Sequence, residues 1–167
     1  MTTNEDILSE LTSQFGDKIL ANEVDYNTLI IEVDSSSTYD VLDYLKTKSS
    51  SQLNFLTTLC GLHHPKNTGK ELGVMYQVKN LISNYNLRIK SFFPIAEPKI
   101  KSVTSLFPTA NWMERQEYDF YGIEFQGHPD LRRILNVDDM DYFPMRKEHR
   151  LEDATRDDKE DKYFGRQ

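Results

Sequence analysis

The sequence predicts an α+β domain, in which helices pack on a mixed and mostly antiparallel sheet. Two observations carry this prediction: short β-rich segments occur in pairs joined by brief polar turns, and helical patterns are inserted between those pairs. The length of 167 residues fits one domain that buries its own core without disulfides. We assign this domain to residues 1–135, which contain all the predicted helices and strands.

The last part of the chain, residues 136–167, differs from the rest in composition. It is highly charged and poor in aliphatic residues, which is typical of a segment that buries too little apolar surface to fold alone. We therefore expect an extended C-terminal arm that becomes ordered against a partner and wraps it. A solvated tail that stays disordered in every state is the alternative.

The first half of the chain predicts a helix, a β-hairpin and a second helix. Each helix begins with the spacing of a capping box, Thr3 with Asp6 and Ser37 with Asp40. The second hairpin strand alternates apolar and polar residues, as a half-buried strand does. The predicted elements are a helix that ends at Phe15, strands at 18–24 and 28–33, and a helix that ends at 46–48.

The second half predicts three strands and a helix. A turn near 83–86 joins two segments with alternating apolar residues, which predicts a long hairpin with one inward face. That face is carried by Val74, Tyr76, Val78, Leu87, Ile89 and Phe93. The predicted elements are a strand at 53–59, hairpin strands at 72–81 and 86–93, one or two helical turns at 102–107, and a helix at 110–121 that Thr109 caps and Gly122 ends.

Composition argues against several classes of function. A net charge of −7 opposes binding to nucleic acid, which draws most of its affinity from clustered Lys and Arg. The single cysteine, Cys60, excludes an internal disulfide and an iron–sulfur cluster held by this chain alone. No apolar segment approaches the roughly 20 residues of a membrane span, and the acidic start differs from a secretory signal, so we expect a soluble chain.

Two groups of residues have the types that metal or acid/base sites use. Cys60, with His63 and His64, resembles half of a zinc site, but the other half is missing, so we interpret them as a strand end that runs into a loop with exposed imidazoles. Glu114 and Glu117 share one helix face and, with His128, would suit general acid/base chemistry or a metal. A free-standing enzyme of that kind is one alternative, although the chain has no Ser-His-Asp motif, no H-E-x-x-H motif and no phosphate-binding glycine loop.

A dense charged and aromatic segment, Asn111–Leu135, favours contact with another protein. Its Gly127 and Pro129 predict a rigid corner, because glycine permits unusual backbone angles and proline restrains its neighbour. The corner presents Arg132 and Arg133, whose guanidiniums suit bidentate pairing with carboxylates. At an interface, loss of one member of such a pair costs roughly 2–5 kcal/mol, against about 0–1 kcal/mol for an exposed pair. The predicted partners of the two arginines are Glu114, Glu117 and Asp119.

These residues resemble the signature of a known family. The segments 114–125 and 127–135 are similar to those of the 30-kilodalton subunit family of NADH-quinone oxidoreductase, respiratory complex I, whose bacterial members are lettered C. The sequence departs from the family at Gln116, where an acid is usual. It departs again at 142–148, which stands where the family tends to have G-H-P-L-R-K-D and keeps only the Pro-x-Arg-Lys core.

The resemblance implies a non-catalytic scaffold subunit of a proton-translocating enzyme that transfers electrons from NADH to quinone. It implies that the quinone-binding subunit, lettered D, is the main partner and that the cluster-carrying subunits, lettered B and I, lie nearby. NADH, FMN, iron–sulfur clusters and quinone would be bound by other subunits. The chain would then be peripheral, on the cytoplasmic side of the cell inner membrane. A membrane-bound hydrogenase or a ferredoxin-quinone reductase is the alternative host.

The resemblance and the charge pattern together give a set of residues expected at the interface with the partner. They lie on the predicted helix, at the corner and in the Pro-x-Arg-Lys core of the arm. The set comprises Glu114, Arg115, Glu117, Asp119, His128, Asp130, Arg132, Arg133, Arg146 and Lys147.

Overall fold

The computed structural model describes residues 3–149, and its elements follow the predicted order. Two short strands, β6 and β7, were not predicted. The helices and strands are α1 (Asn4–Phe15), β1 (Ile19–Asp25), β2 (Thr28–Val33), α2 (Thr38–Thr47), β3 (Phe55–His63), β4 (Leu72–Lys79), β5 (Asn86–Phe93), β6 (Lys99–Lys101), α3 (Ala110–Tyr121) and β7 (Glu124–Gln126).

Five strands form one sheet in the order β1-β2-β5-β4-β3. All neighbouring pairs in it are antiparallel except β2 and β5, which are parallel. The parallel pair arises because the chain passes through α2 and the β3-β4 hairpin before it returns as β5. The strands β6 and β7 form a separate parallel pair. The predicted α+β class with a mixed, mostly antiparallel sheet is confirmed.

The core is formed by the five-stranded sheet, the helices α1 and α2, and apolar residues of the segment from β6 to β7. The two helices meet where the rings of Phe15 and Tyr44 lie 5.5 Å apart in an edge-to-face arrangement. The capping box of α1 is confirmed, since Thr3 Oγ1 accepts the Asp6 N–H at 3.2 Å and Asp6 Oδ2 accepts the Thr3 N–H at 3.1 Å. The predicted inward residues of the β4-β5 hairpin are all buried, namely Val74, Tyr76, Val78, Leu87, Ile89 and Phe93.

The predicted start of α2 is wrong in detail. Ser37 makes no capping hydrogen bond with its side chain, because a short 3-10 helix, Ser35–Ser37, already gives it a helical backbone. The capping group is instead the Asp34 carboxylate, which accepts the Ser36 N–H at 3.2 Å. The cap therefore lies three residues earlier than the Ser37 and Asp40 spacing predicts.

Two predictions near α3 and β3 also need correction. The helical turn predicted at 102–107 is present as a single turn, with the N–H groups of Leu106 and Phe107 both donating to the Val103 carbonyl. The Phe107 carbonyl, at the end of this turn, accepts the Ala110 N–H. The Thr109 side chain makes no hydrogen bond that caps α3. The strand β3 begins two residues later than predicted and continues to His63, where it still pairs with Leu72 of β4.

Candidate functional site

The helix α3 buries its charged residues and exposes its largest aromatic one. Glu114 and Asp119 are fully buried, and Glu117 and Arg115 are nearly so. Trp112, in contrast, is 63% exposed. A surface helix usually has the opposite arrangement, with apolar residues against the core and charges in water. Each buried charge therefore needs hydrogen-bonding partners inside the chain, and these partners define the site.

Glu114 holds the turn that precedes α3. Its Oε2 accepts the Ser102 hydroxyl at 2.6 Å, and its Oε1 accepts the Val103 N–H at 2.7 Å. Burial raises the pKa of Glu114 to about 7, although these two hydrogen bonds act in the opposite direction. Both donors are neutral, so the predicted pairing of Glu114 with Arg132 or Arg133 is wrong.

Glu117 occupies the outer edge of the sheet at β3. Its Oε2 accepts the Gly61 N–H at 2.6 Å, in the place where a further strand would supply a carbonyl. Burial raises the pKa of Glu117 to about 7 as well. The contact is close, because a Cβ added to Gly61 would lie 2.5 Å from the Tyr121 ring. The predicted pairing of Glu117 with an arginine is therefore also wrong.

Asp119 organises the segment that follows the corner. Its carboxylate accepts three backbone N–H groups, from residues 134–136 at 2.8–3.1 Å, and the Arg133 Nη1 at 2.7 Å. Burial alone would raise the pKa of Asp119, but the hydrogen bonds from Asn136, Leu135 and Arg133 prevail and lower it. The predicted pairing is confirmed for Asp119 and Arg133, whose ion pair is almost completely shielded from water.

Two arginines bind backbone carbonyls along the same segment. Arg115 donates to the carbonyls of Arg132 and Arg133, at 3.2 Å and 3.0 Å. Arg133 donates in turn to the carbonyls of Met140 and Tyr142, at 2.7 Å and 3.1 Å. The Arg132 side chain is exposed and pairs with Asp130 at 2.9 Å. The predicted pairing of Arg132 with a helix acid is therefore wrong.

The described part of the arm packs against the end of α3. The Phe143 ring is contacted by Arg133 and Arg146, whose guanidinium carbons are 5.3 Å and 4.7 Å from the ring centre. Phe143 also covers Gly122, where any Cβ would overlap the ring. Arg146 Nε donates to the Tyr121 carbonyl at 2.8 Å. Residues 150–167 lie outside the described residues, so the predicted boundary at 135 and the partner-dependent ordering of the arm stay predictions.

The remaining predicted site residues lie at the corner and at the end of β3. The corner is confirmed: Gly127 has φ 83°, and the Asp130 N–H donates to His128 Nδ1 at 3.0 Å. Because Nδ1 accepts, the His128 proton resides on Nε2, which lies 3.1 Å from the Asn111 carbonyl. The Lys147 N–H donates to Nδ1 of His63 at 2.9 Å. His63 is buried, so the exposed imidazole predicted there is wrong, whereas His64 is exposed as predicted.

Two residues of this site were not predicted. Gly61 is in the interior of a strand, and a glycine there signals a close approach of another backbone or side chain. No pattern in the neighbouring sequence indicates the role of Phe143, because the residues that it contacts lie on α3 and at the end of that helix. Within residues 3–149, no three His, Cys, Asp or Glu side chains form a group that would hold a metal, and no helix is long and apolar enough to cross a membrane.

Residues 31–155 match the family described as respiratory-chain NADH dehydrogenase, 30 Kd subunit. The NADH-quinone oxidoreductase subunit lettered C of Streptomyces coelicolor is 34% identical over 128 residues, covering 77% of this chain and 51% of that protein. The subunit of the same name from Acidothermus cellulolyticus is 32% identical over 146 residues, covering 87% of this chain and 76% of that protein. The chain spans about half the length of several curated relatives it matches, for example 52% for Mycobacterium avium.

Two solved structures have a similar fold. A trypsin-resistant fragment of Nqo5 gives a TM-score of 0.65 at 25% identity and covers 76% of this chain and 98% of that one. A chain of the membrane-bound sulfane sulfur reductase, an archaeal respiratory membrane complex, gives a TM-score of 0.73 at 20% identity, covering 88% of this chain and 85% of that one. The second likeness shows the fold alone. From the match over residues 31–155, the chain belongs to the respiratory-chain NADH dehydrogenase 30 Kd subunit family.

Proposed function

We propose that this chain is the non-catalytic scaffold subunit of a proton-translocating NADH-quinone oxidoreductase and that it holds the quinone-binding subunit. One observation carries the proposal: α3 uses its charges to fix neighbouring segments and leaves Trp112, the single tryptophan, 63% exposed. Tryptophan is among the residue types that contribute most binding energy at protein interfaces. Family membership supports the host complex, since the relatives are named as subunits of NADH-quinone oxidoreductase.

The exposed apolar residues near α3 are held on a fixed backbone. Asp119 binds the N–H of Leu135, and both Leu135 and Val137 are more than 60% exposed. Arg115 connects this segment to Trp112, because its guanidinium lies 5.3 Å from the indole and also binds the segment's carbonyls. We call Trp112, Leu135 and Val137 the α3 surface. A surface ordered before binding loses less conformational entropy on contact with a partner.

We divide the predicted interface residues into two roles according to their burial. Glu114, Arg115, Glu117 and Asp119 are buried in the chain itself, so we assign them to positioning. Asp130, Arg132 and Lys147 are exposed, so we assign them to contact with the quinone-binding subunit. Such exposed charges contribute about 0–1 kcal/mol when alone, and more when a partner shields them from water.

The proposal places all cofactors outside this chain. NADH, FMN, iron–sulfur clusters and quinone would be bound by other subunits, with the cluster-carrying subunits nearby. The chain would attach peripherally, on the cytoplasmic side of the cell inner membrane. Electron transfer and proton translocation would then be activities of the complex, and this chain would contribute by positioning the quinone-binding subunit.

The proposal is tested by replacing the native chain with tagged variants in membranes and isolating the complex in mild detergent. Trp112→Ala is expected to weaken binding of the quinone-binding subunit by about 2 kcal/mol, or roughly thirtyfold, and to reduce NADH-quinone reductase activity in proportion. Ile82→Ala is the matched control, because Ile82 is 97% exposed on the distant β4-β5 turn. If Trp112→Ala retains the quinone-binding subunit as fully as Ile82→Ala does, the α3 surface is not the contact.

A second host is favoured by one observation. The same fold occurs in a chain of the membrane-bound sulfane sulfur reductase, so the fold is not confined to NADH-quinone oxidoreductases. A membrane-bound hydrogenase or a ferredoxin-quinone reductase is therefore the alternative. The subunits recovered with the tagged chain distinguish them: a large subunit with paired nickel-binding CxxC motifs indicates a hydrogenase, and an NADH-oxidising subunit with FMN indicates the proposed enzyme.

A further inference from the structure

The two edges of the five-stranded sheet differ. At the β3 edge, the Glu117 carboxylate accepts the Gly61 N–H, so part of the edge is closed by α3. At the β1 edge, residues 20–25 are all exposed. Within residues 3–149, the backbone of β1 forms its ladder with β2 alone. An open strand edge presents unpaired N–H and C=O groups, which can pair with another strand.

The hairpin register shows which groups of β1 face outward. The β1-β2 turn has two residues, Tyr26 and Asn27, with φ 45° and 62°, so Asp25 and Thr28 close it as a hydrogen-bonded pair. Hydrogen-bonded and non-hydrogen-bonded pairs alternate along an antiparallel ladder. Glu23 and Asp25 therefore bond to β2, while Asn22 and Val24 direct their N–H and C=O groups away from the sheet.

The open edge also exposes apolar side chains. Leu20 and Val24 are 49% and 59% exposed. Natural sheet edges are usually protected by proline, by lysine or other charged side chains, by bulges or by a covering segment. The strand β1 contains no proline and no lysine, and its single irregularity is the bulge between Ile19 and Ala21. The segment 21–25 is therefore suited to accept an added strand.

Charge decides which kind of strand fits. Asp17, Glu23 and Asp25 place acids along and beside β1. Glu23 pairs with Lys90 at 2.9 Å, and the neighbouring Lys18 pairs with Asp34 at 3.1 Å, so among the described residues Asp17 and Asp25 keep their negative charge without an ion pair. If the added strand came from a second copy of this chain, the same acids would lie on both sides of the new strand pair and repel each other. A segment with lysine or arginine between apolar residues would complement both the charge and the exposed apolar side chains of β1.

We infer that β1 is a docking edge where an extended, basic and apolar segment of another subunit adds to the sheet as a sixth strand. The inference rests on the proposed function, because it takes the partner from the same membrane complex. The surface at β1 differs from the α3 surface of the proposed function. The helix α3 contacts β3, and β1 and β3 are the two opposite edge strands of the sheet. The added strand would be held by its backbone hydrogen bonds and located by its side chains.

Hydrogen exchange of individual amides tests the inference. In the isolated chain, the amides of Asn22 and Val24 are expected to exchange almost freely, while those of Glu23 and Asp25 are protected by β2. In the assembled complex, the Asn22 and Val24 amides are expected to slow by about a hundredfold or more. Unchanged exchange at these two amides, in a complex that contains the other subunits, would overturn the inference.

The same experiment separates the other outcomes. If the tagged chain recovers no other subunit, the proposed function fails, and the exchange comparison is made instead between dilute and concentrated isolated chain. Protection of Asn22 and Val24 that grows with the concentration of the isolated chain identifies a second copy as the occupant and overturns the proposed partner. If no concentration protects them and no subunit is recovered, β1 is not a docking edge.

A backbone variant gives an independent test. Asn22→Pro removes an outward N–H without removing a bond to β2, and edge strands tolerate proline at such positions. Asn22→Ala, which keeps the N–H, is the matched control. We expect Asn22→Pro to reduce recovery of the docked subunit at least tenfold and Asn22→Ala to leave it unchanged, with both variants showing wild-type thermal unfolding. Equal recovery with the two variants would contradict the docking role.

Discussion

The buried carboxylate of Glu114 predicts an unusual dependence of stability on pH. Its pKa is about 7 in the folded chain, against an ordinary value of 4.5, because burial disfavours the charged form. The folded state therefore keeps a proton that the unfolded state has already lost. The stabilisation from this proton is fully present below pH 4.5 and is lost as pH rises through 7. Over that window the change amounts to about 3 kcal/mol.

Glu114→Gln removes this dependence while keeping the hydrogen bonds. The neutral amide accepts the Val103 N–H with its oxygen and donates to Ser102 Oγ with its nitrogen. Below pH ~5 the variant and the wild-type chain are expected to have similar free energies of unfolding. At pH ~8 the variant is expected to be more stable by about 3 kcal/mol, since it has no charge to bury.

Urea unfolding followed by circular dichroism from about pH 5 to about pH 8 measures the effect. The window begins near pH 5 because Asp119, whose pKa is lowered, adds stability that is lost only in more acidic solution. Glu124→Gln is the control, since Glu124 is exposed and its replacement should not change the slope. Parallel curves for wild type and Glu114→Gln across this range would refute the argument from burial.

Two further predictions concern the contacts of α3. Asp119→Ala leaves Arg133 buried without its counter-charge and is expected to lower the free energy of unfolding by about 3–5 kcal/mol; Asp119→Asn, which keeps one acceptor oxygen, should lose clearly less in the same urea titration. Gly61→Ala places a methyl group 2.5 Å from the Tyr121 ring and 2.7 Å from Glu117 Oε2. It is expected to cost about 1–3 kcal/mol in a thermal melt, and a wild-type melting temperature would show that α3 does not approach β3 so closely.

Most of the fold follows from local pattern. The inward face of the β4-β5 hairpin was predicted because alternation over a strand fixes which side chains share a face. The sequence predicts the end of α3 because glycine readily adopts the left-handed conformation that terminates helices. Gly122 has this conformation, with φ 73°. The short strands β6 and β7 were missed because three residues carry too little periodicity to distinguish a strand from a loop.

Of the contacts predicted within 111–135, the structure confirms the pairing of Asp119 with Arg133 and contradicts those of Glu114, Glu117 and Arg132. The interface role of the segment stays a prediction. Charge type alone suggested pairs between acids and arginines. The structure gives Glu114 and Glu117 backbone and hydroxyl donors from segments distant in sequence, such as Gly61, which is 56 residues from Glu117. Such partners depend on how the helix crosses the sheet, and no local pattern encodes that crossing.

The closure of the β3 edge by Glu117 has a consequence for the chain during its synthesis. The strand β3 leaves the ribosome before α3 exists, since 56 residues separate Gly61 from the carboxylate that binds its N–H. At about 5–20 residues per second, this edge is unprotected for roughly 3–11 seconds. During that time β3 is open to pairing with other nascent chains, so slowing translation between β3 and α3 should increase aggregation of the newly made protein.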